Sequence, residues 1–489
     1  MMLLPVLVHQ LGNEAYGLFA TLQAVFIFSS LFDLGLSKAV VRFTASYHAE
    51  GDTAAISRFA STTFTIYTGL GAAVMVAALL FAFFGLGIIS VPPDLETVAF
   101  WSAIVFGLAS FYNFPAGVLG GVMGGLKRHD AESRLHICVA IAQVVGQAVA
   151  ALAGLGVLGV VIAFHLPNLV KPFVRLPLIH RFLPGFRLRP VRLFTRPLLK
   201  EIGGYSGWSF LVESGRRVVE SLDPVIISAF LGLSTVTPYS IGLQVGRLLQ
   251  RMTLPVAFVL LPVASEMTAA GDTRGLGRMV LRATRYTAAI AVGLAGPLIV
   301  LCDDIIRVWL RESFPLAVDV GRIFLVASVV LMIRAPLSLV LESSMRGVRT
   351  AGTWTLVETV VNVSLSLILL QVMGARGVVL ATLIAATAVT ALGFVPAALR
   401  VADLRAGAFA RSVLLPLALP LTISLPLWLG VSWLVGGRGL IAVLAGLGVA
   451  ISVFFAIFWR TLRPEERADL LPRRRTGTPA AEGSGESSP

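Results

Sequence analysis

Ten charged residues fall where this chain carries few others, and they are its best candidates for chemistry. Glu213, Arg216, Arg217, Glu220 and Asp223 recur at three- and four-residue steps, the spacing that puts side chains on one face of a helix. Gln244, Arg247 and Arg251 repeat the pattern on the next segment, Arg322 and Arg334 follow in a later one, and Asp33 stands alone near the start. A guanidinium fork binds phosphate oxygens bidentately and donates to hydroxyls, and a site of low dielectric strengthens both bonds. Arg216, Arg217, Arg247, Arg251, Arg334 and Gln244 are therefore the expected substrate-binding set, with Arg322 a further extension of it. Asp33, Glu213, Glu220 and Asp223 are the candidates for coupling to protons or sodium ions. A structural reading stands beside this one, because Glu213 with Arg217 and Arg216 with Glu220 are i,i+4 pairs that can neutralise each other. Arg247 and Arg251 have no acid on their own segment and are the strongest single candidates. Asp33 could equally serve as a helix-end partner of Lys38 or Arg42.

The elements that position these charges must be membrane helices. Of 489 residues, 56% are hydrophobic and only 13% charged, with a mean hydropathy of +0.87, more apolar surface than soluble domains of this size can bury. Apolar runs of roughly 20 residues, the length that crosses a bilayer, fall at 15–37, 60–89, 98–122, 133–153, 156–178, 205–231, 238–264, 280–302, 317–341, 353–372, 377–397, 412–434 and 439–459, thirteen spans in all. The ten residues from Met1 to Gln10 read as the tail of a clipped first span. With that layout 29 of the 39 Lys and Arg residues lie on one side, 4 on the other and 6 inside spans, so the basic side, which also receives the C-terminus, is the expected cytoplasmic one. The net charge of +13 follows from this asymmetry and calls for no nucleic-acid partner. A charge at the centre of a lipid-facing helix costs about 2.5 to 3.5 kcal/mol, so six of them would cost on the order of 15 to 20 kcal/mol. They are expected to face protein or water.

The two halves echo each other. Leu11-Gly12 returns as Leu231-Gly232, and Gly51-Asp52-Thr53 with Arg58 returns as Gly271-Asp272-Thr273 with Arg278, both offset by 220 residues. Met123, Gly125 and Lys127 return as Met345, Gly347 and Arg349, and Gly159-Val160-Val161 returns as Gly377-Val378-Val379. Each repeat holds an even number of spans, so both enter the membrane from the same side and are related by an axis along its normal. The predicted fold is an all-α polytopic membrane protein: two parallel six-helix lobes around a central cavity, plus two C-terminal helices, with the first helix truncated. The expected divisions are an N-lobe at 1–180, a basic connector at 181–201 lying on anionic lipid, a C-lobe at 202–399, the appended spans at 400–460 and a tail at 461–489.

Leu11-Gly12-Asn13-Glu14-Ala15-Tyr16-Gly17-Leu18-Phe19, then Asp33-Leu34-Gly35-Leu36 and Arg42, resemble the opening of Wzx-type polysaccharide flippases of the multidrug/oligosaccharidyl-lipid/polysaccharide exporter superfamily. So do Asp223, Phe230-Leu231-Gly232, Tyr239, Pro262 and Gly271-Asp272. The resemblance implies carriage of polyprenyl-pyrophosphate-linked oligosaccharides from the cytoplasmic to the periplasmic leaflet of a bacterial inner membrane, for surface polysaccharides such as O-antigen. The implied partners are the lipid-linked oligosaccharide, membrane lipids, a polysaccharide polymerase and glycosyltransferases.

No Walker-type loop, no His-Glu-x-x-His and no Cys/His cluster occurs in the sequence, so no cofactor and no enzymatic activity are expected, and an ion gradient, the membrane potential or substrate supply must drive transport. The alternatives are a cation-coupled multidrug exporter of the same superfamily, a lipid II flippase and a membrane glycosyltransferase or polymerase. The first would want an acidic or aromatic cavity; the last would want a larger extracytoplasmic loop than the dozen or so residues from Asp303 to Pro315. His136 and His165 could carry protons, although packing roles are expected for both.

Overall fold

The computed structural model describes residues 3–29, 36–190, 192–193, 215, 217–219, 221–251, 254–436, 439–462 and 467. Helices carry nearly all of them. The first half comprises α1 (Leu3–Leu11), α2 (Asn13–Ile27), α3 (Leu36–Ala49), α4 (Thr53–Ile89), α5 (Glu96–Gly125), α6 (His129–Leu152) and α7 (Gly156–Phe182). After the helical residues 221–231 come α8 (Leu233–Arg251), α9 (Leu254–Ala269), α10 (Thr273–Val300), α11 (Cys302–Leu310), α12 (Pro315–Glu342), α13 (Met345–Met373) and α14 (Ala375–Val401). The chain closes with α15 (Ala406–Val435) and α16 (Leu440–Thr461). Ten helices among the described residues are long and apolar enough to cross a bilayer. The other three predicted spans are the pair α2–α3, the pair α8–α9, and 205–231, whose first part lies largely outside the described residues.

The sequence repeat is a repeat of turn chemistry. Gly51 (φ 75°) and Gly271 (φ 70°) each end a helix in the left-handed region, where a side chain would be strained. The following amides close identical loops, Asp52 N–H donating to Tyr47 O at 2.9 Å and Asp272 N–H to Met267 O at 3.0 Å. Each aspartate then caps the next helix: Asp52 accepts from Ala55 N at 2.7 Å and Asp272 from Gly275 N at 2.8 Å. Helix packing repeats too, α4 on α5 and α6 on α7 answering α10 on α12 and α13 on α14.

The lobes meet through equivalent helices. α2 packs along α8, and a Cβ added at Gly17 would stand 2.1 Å from Leu233 O, so glycine alone allows this approach. Its symmetry mate is also made: Thr237 Oγ1 donates to the carbonyl of Asn13 at 2.5 Å. Positions 13 and 233, and 17 and 237, are related by the 220-residue offset, so each residue touches the counterpart of its partner, the signature of a twofold contact. Ser90 Oγ adds a bond to Ala229 O at 3.3 Å. All of these contacts lie at the end of the molecule poor in basic residues. At the basic end each lobe packs on itself, α3 on α4 and α5, α9 on α10 and α12.

Three features differ from expectation. The segment 303–315, read as a loop, contains the nine-residue helix α11, which buries Cys302, Ile306 and Leu310 along one face. Residues 186–190, part of the connector expected to rest on lipid, are held along α4: Arg187 N donates to Ser57 Oγ at 3.0 Å, Arg189 N to Ser61 Oγ at 3.0 Å, and Thr65 Oγ1 to Pro190 O at 2.9 Å. Phe186 is buried by this path, whereas Arg187 and Arg189 are exposed. Finally, Arg285, counted with the loop cations, stands twelve residues into α10, about 18 Å along its axis, and is buried.

The appended helices α15 and α16 pack on each other and on α10. Trp428, 2% exposed, fills the notch left by Gly296 and donates from Nε1 to Ala450 O at 3.2 Å.

Candidate functional site

Asp223 and Tyr239 face each other across the Leu231-Gly232 turn, where Gly232 takes φ 84° and lets the chain reverse between residues 221–231 and α8. Asp223 is buried at 6% exposure beside Tyr239, fully buried at 0%. Tyr239 Oη donates to Asp223 Oδ2 at 2.5 Å, which satisfies a carboxylate that would otherwise be costly to bury. Arg247, two turns further along α8 and half-buried, lies within electrostatic reach of Asp223, of Tyr239 and of Tyr16 on α2. The group joins both lobes: one aromatic from the first, and an acid, a phenol and a guanidinium from the second. Such an arrangement can hold an anion at the guanidinium while the Asp223–Tyr239 bond keeps the carboxylate turned aside.

The other predicted residues divide. Asp33, Glu213, Arg216 and Glu220 lie outside the described residues. Arg217 is half-buried and engaged with its surroundings. Gln244 is half-buried on α8, one turn before Arg247, and Arg251 is exposed at the end of that helix. Arg334 does not join Arg247 through a shared partner; its Nη1 meets Glu358 Oε2 at 2.5 Å, the side chains being 18% and 7% exposed. It also lies over the Phe394 ring at 4.8 Å. Glu358 reaches this buried cation because α13 runs beside α12. Arg322 does not extend the set either, being exposed with Nε donating to Ile299 O at 3.2 Å.

Sequence reasoning missed two groups. Arg175, counted among the loop cations although it falls within the predicted span 156–178, is buried on α7, where it pairs with Glu132 through Nη2 and donates from Nη1 to Ala116 O at 3.2 Å. The second group is a cavity of about 410 Å³ between α2, α4, α5 and α7, lined in part by Gln23, Ile27, Asn113 and His165. His165 was expected to be a satisfied packing residue, yet both its ring nitrogens are buried without a hydrogen-bond partner, because its ring is wedged edge-on against Phe106 and Phe164. Among the described residues no cluster of three or more His, Cys, Asp or Glu could hold a metal ion.

Comparison with known proteins agrees with this architecture. The family model described as "Polysaccharide biosynthesis protein" matches residues 1–268. The chain is 25% identical over 337 residues to the "Uncharacterized membrane protein EpsK" of Bacillus subtilis (strain 168), a match that takes in 63% of this chain and 61% of that protein. The matched region thus spans less than two thirds of that relative's length. In fold, the chain is similar to the lipid II flippase MurJ in an inward closed conformation, with TM-score 0.70 and 13% identity over 94% of this chain and 96% of that one. It is also similar to a multidrug resistance MATE family transporter of the MOP superfamily in its inward-facing conformation, with TM-score 0.68 and 17% identity over 82% and 94% of the two chains. An outward-facing structure of a MATE family transporter superposes less closely, with TM-score 0.58.

Proposed function

Since the chain belongs to the polysaccharide biosynthesis protein family and has the MurJ/MATE fold, we propose that it flips polyprenyl-pyrophosphate-linked oligosaccharides from the basic, cytoplasmic side of a bacterial inner membrane to the periplasmic leaflet. Alternating access between the two lobes accomplishes the step. The observation that carries this reading is Arg247, a guanidinium inside the membrane at the joint of the two lobes, in reach of Tyr16 from one and of Asp223 and Tyr239 from the other. A charge so placed is costly unless it has work to do, and its fork geometry suits a pyrophosphate. Lobes closed on each other at the non-basic end leave the basic end as the side of entry, where loop cations gather an acidic lipid.

Asp223 supplies the coupling in this reading. Protonation removes its attraction for Arg247 and leaves the guanidinium to phosphate, and loss of the proton restores that attraction and expels the cargo. A drug exporter is less well served, because a cationic drug would meet Arg247 at the joint.

The test is surface polysaccharide in a strain lacking the gene and complemented with variants. Arg247→Ala is expected to lower it by tenfold or more with normal membrane levels of the protein, Arg247→Lys by less, and Asp223→Asn to retain binding but lose dependence on the proton gradient in proteoliposomes. Wild-type polysaccharide from Arg247→Ala would remove the residue from the transport path.

A further inference from the structure

Four ionisable side chains join α6 to α7 at the basic end of the first lobe, apart from Arg247 and its neighbours. Arg175 is committed at all three of its nitrogens: Nε donates to Glu132 Oε2 at 3.2 Å, Nη2 to Glu132 Oε1, and Nη1 to Ala116 O at 3.2 Å. His136 Nε2 stands 2.9 Å from the same Oε1, and its side chain, expected to be packed, is 54% exposed. Lys171, half-buried one turn before Arg175 on α7, lies within electrostatic reach of Arg175 and Glu132. Among the described residues its ammonium has no hydrogen bond and no ion pair. Glu132 neutralises Arg175, so the charge of Lys171 is left over.

The fold does not need these charges, because the second lobe closes the same place without them. At the repeat offsets of 222 and 218 residues, Trp354 answers Glu132 and Gly393 answers Arg175. There the indole fills the room, and a Cβ added at Gly393 would stand 2.4 Å from Trp354 Cδ2. The counterpart of Lys171 is Val389, which is buried, and that of His136 is Glu358, which serves Arg334. An ionisable side chain within a span is costly and marks a site unless it is paired. Lys171 is the one without a pair.

Position and chemistry select the ligand. Glu132 and His136 stand three and seven residues into α6, about 5 and 10 Å along its axis, and α6 follows Lys127 and Arg128, so the cluster lies close to the basic surface. Ile137, Val170 and Phe173 beside it are exposed apolar residues, as suits contact with acyl chains. The single charge of Lys171 matches a phosphodiester, whereas a zwitterionic headgroup would bring its own ammonium against it. A pyrophosphate would want a guanidinium fork, and that of Arg175 is spent on Glu132.

We propose that Lys171 and His136, seated on the Arg175–Glu132 pair, form a phosphate-binding site for an anionic phospholipid of the leaflet at the basic end. The assignment does not depend on the flippase reading.

The experiment uses the full chain purified in detergent, with phosphatidylglycerol and phosphatidylethanolamine as probes and native mass spectrometry as the readout. The wild type is expected to hold phosphatidylglycerol about fivefold more tightly, the contribution of one lysine close to an anionic headgroup. Lys171→Gln is expected to erase that margin and Lys171→Arg to keep it. Arg134→Gln, which removes an exposed cation paired with Asp130 at the same end of α6, is expected to leave it unchanged. Melting temperature without added lipid reports that each variant is folded; should Lys171→Gln fail to fold, His136→Ala carries the decision by narrowing the margin. Equal binding of the two probes by the wild type, a margin that survives these changes, or one that Arg134→Gln lowers as much as Lys171→Gln does, overturns the site. Tighter binding of undecaprenyl pyrophosphate than of phosphatidylglycerol, lost in Lys171→Gln, overturns the phospholipid as its occupant in favour of the cargo.

Discussion

The two lobes share a scaffold and differ inside. Their turns, caps and helix pairs repeat, yet the second lobe carries Arg247, Asp223, Arg285 and the Arg334–Glu358 pair in its interior, while the first holds the Arg175–Glu132 pair and a cavity whose described lining residues are uncharged. The contrast is sharpest where the twofold contact fixes the correspondence. Arg247 on α8 answers Ile27 on α2, and Ile27 lines the cavity of the first lobe; Tyr239, which holds Asp223, answers Phe19. Duplication preserved what the backbone needs, because a left-handed glycine or an Asp cap is required wherever that turn occurs. Side chains facing the interior were free to diverge.

Breaking the charged side of this comparison should have the largest effect on stability. Arg334→Ala leaves Glu358 buried without its cation and is expected to cost about 3 to 5 kcal/mol, read as a fall in melting temperature in detergent. The double change Arg334→Met with Glu358→Leu should recover most of that loss. Transport by the recovered double variant would assign the pair to structure and narrow the binding set to α8 and its neighbours. Next comes the joint itself. Gly17→Ala sets a methyl against the Leu233 carbonyl and is expected to cost about 1 to 3 kcal/mol, with a cysteine pair across α2 and α8 cross-linking more slowly. Smallest are the two caps. Asp52→Ala and Asp272→Ala should each cost about 1 kcal/mol, and by the same amount; unequal costs would show that the shared turns do not bear equal weight in the two lobes.

The repeat and the all-helical membrane fold were legible in the sequence because each rests on a local signal: hydropathy over about 20 residues and a glycine-aspartate pair at a turn. What was not legible depends on the packing of distant helices. That Glu358 reaches Arg334 depends on α13 lying beside α12. Likewise, Arg175 reads as a loop cation until α6 brings Glu132 to it, and the cavity of the first lobe has no signature in the chain, since Gln23, Asn113 and His165 come from three separate helices. Charged residues advertise a membrane site by their rarity; uncharged polar ones do not.

Trp428 has a consequence for motion. With its ring seated in the notch at Gly296 and tied to Ala450, the two appended helices are keyed to the second lobe, so they turn as part of it. In the proposed alternating access the moving body would be larger on that side than on the other, its outer rim would shear a wider annulus of lipid, and the first lobe, with less to drag, is the one expected to travel further through the bilayer.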